Sequence, residues 1–353
     1  MRLDQYPLAP ESGERSSTGG ATAVAHPNIA LVKYWGKRDD ELILPVADSL
    51  SMTLDVFSTT TTVRLDSEAP VDRVTLNGAP AAEEPYRRVA AFLDLVRGRA
   101  GRIERAVVDT RNTVPTGAGL ASSASGFAAL AVAAADAYDL PLDATGLSRL
   151  ARRGSGSASR SIFGGFAVWH AGQGTGVEGD LSSYAEPVAV GDLDAALVIA
   201  IVDAGPKAVS SRVAMRRTVD TSPLYRPWVE SSRADLTEMR AALLRGDLAA
   251  VGEIAERNAL GMHATMLGAR PAVRYMSPAT LVVLDAVHQL RREGVAAYAT
   301  MDAGPNVKVL CDGADAPRVA RALRSGASRT YIARRGPGAG LRAGDGLPAG
   351  DGL

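Results

Sequence analysis

"PTGAGLASSAS", residues 115–125, sets two glycines and three serines in eleven positions, directly ahead of the run "GFAALAVAAADAY". Glycine loses the most backbone freedom on folding, so such a stretch is costly to order unless a tight turn or a ligand compensates. The run that follows has small residues all round, which predicts a buried helix with close neighbours. Ser122, Ser123 and Ser125 would then stand at its first turn. Unpaired N–H groups and the positive end of the helix dipole favour an anion there. With glycines that let backbone approach closely, the stretch is a workable triphosphate cradle. An ordinary serine-capped buried helix accounts for the same residues. Two familiar phosphate motifs fail: no lysine follows as a P-loop requires, and Ser122 follows Gly117 and Gly119 where a dinucleotide fingerprint needs its third glycine.

A second segment of the same kind, "RRGSGSASRSIFGG", adds Ser155, Ser157, Ser159 and Arg160. Arginine offers a bidentate fork for carboxylate or phosphate.

Composition narrows the class. The 353 residues carry no net charge, with 46% hydrophobic and 22% charged side chains, which are globular values. A neutral balance gives no reason to expect nucleic-acid or membrane partners. Cys311 is the single cysteine, so an internal disulfide is excluded, and four scattered histidines complete no Cys/His zinc cage. No run reaches the ~18 apolar residues of a membrane span, and "MRLDQYPLAPESGERSSTGG" lacks the apolar stretch of a signal peptide. A reducing cytoplasmic setting fits this picture.

Of the 39 basic residues only four are lysines: Lys33, Lys37, Lys207 and Lys308. Arginine dominates everywhere else. A lysine kept against that bias suits a site needing a compact, mobile point charge. Two of the four stand in "LVKYWGKRDD".

Along the chain, residues 1–20 and the Gly-rich tail 336–353 read as disordered. Between them strand and helix signals alternate. "TTTTVRLDS" and "DRVTLNG" are β-rich, the second ending in the turn signal Asn77-Gly78. "PYRRVAAFLDLVRGRAG" is an amphipathic helix with Val89, Phe92, Leu93 and Val96 on one face. A domain change is expected around 185–195. After it come the buried strand "AALVIAIVDAGP", helices near 208–218, 223–244, 247–267 and 278–293, and the strand–turn–strand "VAAYATMDAGPNVKVLCDG". Irregular mixing of strands and helices argues for α+β rather than a doubly wound sheet. "DAGP" occurs twice, at Asp203 and Asp302, each time after an apolar strand, and is a good turn in its own right. The residues alone do not choose between them.

Five blocks in order, "HPNIALVKYWGKRDDELILPVADSLSMTLD", "PTGAGLASSASGFAAL", "RRGSGSASRSIFGGFAVW", "VSSRVAM" and "MDAGPNVKVL", resemble the diphosphomevalonate decarboxylase family. That family belongs to the superfamily of galactokinase, homoserine kinase, mevalonate kinase and phosphomevalonate kinase. The resemblance covers roughly residues 20 to 335. The serine-rich cradle alone indicates the superfamily, whereas "KYWGKRD", "GSGSASRS" and "MDAGPN" together are far more specific.

The resemblance implies a two-part, small-molecule kinase-like α+β fold with its active site in the cleft between the parts. These would be a ribosomal S5 domain 2-like nucleotide-binding part over 21–190 and a ferredoxin-like part over 191–335. It implies a homodimer using ATP and Mg²⁺ to phosphorylate the 3-hydroxyl of mevalonate 5-diphosphate. Loss of phosphate and CO2 then gives isopentenyl diphosphate for isoprenoid synthesis. A monophosphate substrate, or a kinase that stops at the ester, are the alternatives.

By the same resemblance Asp302, Lys37 and Arg160 are catalytic. Asp302 orients the hydroxyl and accepts its proton, Arg160 grips the substrate carboxylate, and Lys37 balances charge at the transferred phosphoryl group. Tyr34, Trp35, Gly36, Lys37, Ser155, Gly156, Ser157, Arg160, Ser211 and Arg212 surround the substrate. Pro115, Gly117, Gly119, Leu120, Ala121, Ser122, Ser123 and Ser125 hold ATP, with Ser122 a candidate for Mg²⁺. Two stretches depart from the family pattern: "ADSLS" at 47–51, and "GPKAVSS" with Lys207 alone. His26 also departs and reads as structural.

Overall fold

The structure, a computed structural model, describes residues 20–114, 122–205 and 208–342. The segment 1–19, the cradle residues Pro115, Gly117, Gly119, Leu120 and Ala121, Lys207 and the tail 343–353 lie outside the described residues.

The first half of the chain builds most of two larger sheets, beside the two-stranded pair Lys37–Asp39 and Leu44–Pro45. One has six strands in the order Gly340–Leu341, Ala21–Ala25, Thr59–Asp66, Arg105–Asn112, Arg73–Leu76, Ala79–Pro80. The threonine-rich strand lies near its centre because alternating side chains bury one face and leave the other partly exposed. Asn77 and Gly78 both take positive φ, as the hairpin turn signal requires. The helix Ser122–Ala137 covers this sheet, and its alanines sit in one core with Val63, Phe92, Val96 and Val108. Small side chains let it approach closely on every side.

The second sheet orders Ala185–Pro187, Phe166–Trp169, Ser49–Thr53 and Asn28–Val32, with the last two buried at every residue. A third follows from the later residues: Ala297–Met301, Val307–Asp312, Ala195–Ile201, Arg329–Ala333. One face of it carries the helices Pro278–Arg292 and Ala316–Ala322 through Val283, Val287 and Val319. Its other face packs on Tyr225–Arg245 and Leu248–Leu267. Those two helices also touch the second sheet, so a single apolar cluster holds Ile29, Leu31 and Leu50 together with Leu197, Ile199 and Leu310. The expected division near residue 190 is thus bridged by a shared core, which fixes the two halves against each other and shapes the cleft.

Helix positions follow the expected order, at Ser211–Thr221, Tyr225–Arg245, Leu248–Leu267 and Pro278–Arg292. The disordered tail expected from residue 336 needs correction over residues 336–342, the part that is described. Residues 336–342 return to the first half, where Gly336 hydrogen-bonds Thr53 and Gly165, and Gly340–Leu341 pairs with Ala21–Ala25. The Gly/Pro composition that reads as low complexity serves close backbone approach: a Cβ on Gly336 would stand 1.9 Å from the Leu54 carbonyl oxygen.

Candidate active site

A cleft of about 260 Å³ gathers residues from distant parts of the sequence. Lys33, Tyr34 and Trp35 come from the end of Asn28–Val32, Arg88 from the helix Glu83–Ala100, and Ser123 from the head of the alanine-rich helix. Ser155, Gly156, Ser157 and Arg160 come from the second Gly/Ser segment, Ser211 and Arg212 from the start of their helix, and Asp302 from the hairpin turn.

The described end of the first Gly/Ser segment meets the second at Ser123. The hydroxyl of Ser123 lies 3.2 Å from that of Ser155, which lies 3.4 Å from that of Ser157. Three hydroxyls therefore run from the N-terminus of a long helix into the cleft. Gly156 is tightly enclosed: a Cβ there would meet the Trp169 ring at 2.7 Å and Tyr34 at 3.0 Å. Tyr34 and Trp169 are themselves edge-on partners with ring centroids 4.7 Å apart.

Arg160 rides on a short helix, Ala158–Ser161, and is 2% exposed. Its Nε donates to Ser51 Oγ at 2.9 Å and to Asn28 Oδ1 at 3.3 Å, Nη1 donates to Ser49 Oγ, and the guanidinium lies 5.8 Å from the Trp169 ring. Asn28 is fixed in turn by Ser161 Oγ and the Ser157 carbonyl. All these partners are neutral. Burial drives the guanidinium down to about 10, against the attraction of Asp302. A buried cation without an adjoining carboxylate is costly unless an anion arrives.

Asp302 supplies the site's carboxylate. Lys33 Nζ donates to its Oδ1 at 2.8 Å and to the Ala30 carbonyl at 2.6 Å, while Lys308 Nζ stands 3.3 Å from Oδ2. Burial opposes ionisation of Asp302, but the two ammonium groups outweigh it and hold the carboxyl well below the usual carboxylate range. Lys33 moves the other way: burial lowers its affinity for a proton, with Asp302 opposing. His263, 2% exposed, is lowered to about 4 by burial and then by Lys33, so it is neutral at physiological pH. Its Nε2 and the Trp35 indole N–H are buried without a hydrogen-bond partner among the described residues. Among the described residues no cluster of three His, Cys, Asp or Glu side chains is arranged to hold a metal ion.

The two "DAGP" turns separate clearly. Asp203 is exposed and closes its own turn by accepting from the Gly205 N–H at 2.7 Å, away from the cleft. The Asp302 turn is anchored by Asn306, whose Oδ1 accepts from the backbone N–H groups of Val202 and Asp203.

Three expected site residues are placed otherwise than their motifs suggest. Lys37 lines the cleft, but its ammonium pairs with exposed Asp40 at 3.0 Å, and Asp40 also takes Arg216; the lysines at Asp302 are Lys33 and Lys308. Ser125 is fully buried and hydrogen-bonds Thr59 Oγ1 at 2.7 Å, so it ties its helix to the sheet and is not among the lining residues. Gly36 is not among the lining residues and packs at Tyr225, whose hydroxyl donates to the Trp35 carbonyl. Ser122 is exposed on the first turn of its helix.

Residues missed from sequence are Lys33, Lys308, Arg88, Asn28, Ser49 and Ser51. The scarcity of lysine pointed to Lys33 and Lys308. Ser49 and Ser51 lie in the divergent "ADSLS" stretch, where alternation on a strand places both on one face.

The chain is similar to known proteins over nearly its whole length. Residues 25–185 match the family described as diphosphomevalonate decarboxylase-like N-terminal domain, and residues 197–333 the mevalonate 5-diphosphate decarboxylase C-terminal domain. A diphosphomevalonate decarboxylase of Ganoderma lucidum is 37% identical over 313 residues, covering 82% of this chain and 77% of its own. A structure described as MDDEF in complex with MVAPP, AMPPCP and magnesium is 45% identical, with TM-score 0.87 over 92% of this chain and 99% of that one. The mevalonate diphosphate decarboxylase of Staphylococcus aureus is 39% identical, with TM-score 0.88 over 92% and 98%.

Proposed function

The chain belongs to the diphosphomevalonate decarboxylase family, and from that premise we propose how its own residues carry out the reaction. It is a carboxy-lyase acting on mevalonate 5-diphosphate with ATP. Hydroxide is a poor leaving group, so the 3-hydroxyl must first become a phosphate ester. When phosphate departs with the C–O bonding pair, the electron-poor carbon draws in the pair of the neighbouring carbon–carboxylate bond. CO2 leaves and isopentenyl diphosphate, ADP and phosphate remain.

One observation carries this reading: Asp302, Arg160 and the Ser123–Ser155–Ser157 hydroxyls line the same cleft. Lys33, Lys37, Arg88, Arg160 and Arg212 line it with Asp302, whose carboxylate is also met from behind by Lys308, so basic groups outnumber carboxylates among the described lining residues. Such a field favours polyanions and the charge that develops during phosphoryl transfer.

In this reading Asp302 receives the 3-hydroxyl as a hydrogen-bond acceptor. Held ionised so firmly, it is a weak base, so it aims the oxygen and takes the proton only as the new P–O bond forms. Arg160 offers the substrate carboxylate its Nη2, which has no hydrogen-bond partner among the described residues. Ser155, Ser157, Tyr34, Lys37 and Arg212 receive the 5-diphosphate, with Trp35 and Ser211 beside them. Arg88 adds a further cation at the cleft wall.

The nucleotide phosphates belong at the helix N-terminus with Ser122 and Ser123. A hard cation held through phosphate oxygens plus a serine hydroxyl fits this donor set, since Mg²⁺ keeps few protein ligands. When bound it neutralises phosphate charge. The division into a nucleotide-binding part over 21–190 and a second part over 191–335, the cytoplasmic setting and the homodimer stay within this reading, supported by the family resemblance.

The test is ATP with mevalonate 5-diphosphate, following CO2 and ADP. Equal amounts of the two are expected. ADP without CO2 would sink the decarboxylase assignment, and faster turnover of the 5-monophosphate would move the substrate.

A further inference from the structure

We propose that Lys308 is a positioning residue for this reaction: it holds the Asp302 carboxylate oriented from the C-terminal half, so that Lys33 is at liberty to turn toward the transferred phosphoryl group. The inference rests on the assignment of Asp302 above.

The geometry starts from the hairpin. Thr300 pairs directly opposite Lys308, so these two side chains share one face of the sheet. Asp302 is two residues beyond Thr300 and returns to that face as the turn begins. The Lys308 side chain therefore runs diagonally along the hairpin to Oδ2 at 3.3 Å. It is 1% exposed, between Val307 and Val309, on a strand whose Leu310 enters the central apolar cluster. Asp302 is its one ionic partner among the described residues. A lysine at a core strand position is unfavourable without a specific purpose.

Lys33 is held differently. It arrives from the first half of the chain, its N–H donates to Asn258 Oδ1, and its ammonium has a second acceptor in Ala30. One carboxylate oxygen is thus bound from each half. If Lys33 were the only counter-ion, its departure toward phosphate would strand a carboxylate whose side chain is two-thirds buried. Lys308 removes that conflict, because both ends of its contact belong to the same hairpin. The charged or titratable groups facing Asp302 are Lys33, Lys308, Arg160 and, from the helix beneath, His263.

The experiment measures kcat and KM for ATP and mevalonate 5-diphosphate from about pH 4 to 8, across the carboxylate and histidine ranges. Lys308→Met is expected to lower kcat about tenfold or more, with KM changed by less than about threefold. It should also bring an acid limb into the window, shifted up by about one unit or more relative to the wild type. A purely structural lysine would lower the melting temperature and leave the pH profile of the folded enzyme unchanged, and that result would overturn the proposal. Lys308→Gln replaces the Met variant should the latter not fold. The wild-type chain gives an independent measurement: the 13C carboxyl resonance of Asp302, assigned by its loss in Asp302→Asn, should not titrate in this window, and titration there would overturn the clamp. Full activity of Asp302→Asn would instead remove the underlying assignment. An inactive Asp302→Asn beside a wild-type-like Lys308→Met would refute only the role of Lys308.

Discussion

Lys33 and Asp302, 269 residues apart in sequence, meet at 2.8 Å across the cleft. This contact joins the strand end of "NIALVK" to the turn of "MDAGPN", and it sets the charge state of the site. It also explains why, in the proposed mechanism, the carboxylate acts by orientation. An acid held far below its ordinary range has little appetite for an alcohol proton until phosphoryl transfer makes that proton acidic.

The first prediction concerns Asp302 itself. Asp302→Asn keeps the shape and one acceptor oxygen but loses the charge. Turnover should fall about 10²- to 10⁴-fold, the range general acid–base groups supply. ATP affinity, measured by calorimetry, should remain within a few-fold, because the nucleotide is assigned to the helix N-terminus at Ser122 and Ser123. A fully active variant would refute the assignment.

Arg160→Lys should be nearly as damaging. The fork is held by Ser49, Ser51 and Asn28, and a lysine can reproduce neither that set nor a bidentate grip. The loss should appear in kcat/KM for mevalonate 5-diphosphate, by about 10²-fold or more, with ATP affinity little changed. Stranding the three hydrogen-bond acceptors costs about 1–3 kcal/mol each where no water replaces the donor, so a lower melting temperature is expected as well.

Much of this site was legible in the sequence, for identifiable reasons. Motif residues such as Arg160, Ser155 and Asp302 sit at turns and helix starts, where local sequence fixes the backbone. Asp302 and Asp203 share one local signal, and only the tertiary arrangement separates them: Asn306 pins the two turns together, yet just one faces the cleft. Lys33 escaped because its neighbour Lys37 carries the stronger motif, and burial decided between them. Ser125 misled for a related reason. Spacing around the first helical turn puts Ser123 toward the cleft and Ser125 toward Thr59. Over residues 336–342 the sequence signal is ambiguous, since glycine-rich composition describes flexible chain and tight backbone packing equally well.

Ser123→Ala and Ser125→Ala should therefore separate. The first removes a hydroxyl from the Ser123–Ser155–Ser157 chain and should reduce turnover with little effect on stability. The second removes a buried hydrogen bond to Thr59 and should cost about 1 kcal/mol of stability, with turnover nearly normal. Chemical denaturation and steady-state kinetics on the pair check this. Equal losses of activity would place Ser125 back in the site.

The last prediction follows the charge of Asp302 into stability. Its folded-state proton affinity is depressed, chiefly by Lys33 and then Lys308 against the opposing effect of burial. A depressed carboxylate contributes stability that is fully present above its unfolded value, about 3.9, and is lost as pH falls toward the lower folded value. Lys33→Met removes the largest source of that depression. The variant should then be destabilised at neutral pH, because one oxygen of a largely buried carboxylate loses its cation. On acidification it has less of this contribution left to lose, so the gap between variant and wild type should narrow as pH falls below about 4. Denaturation midpoints measured across that range test the sign. A gap that stays constant or widens toward acid would show that Lys33 stabilises the chain through packing alone, with Asp302 no more ionised in the folded enzyme than in an open chain.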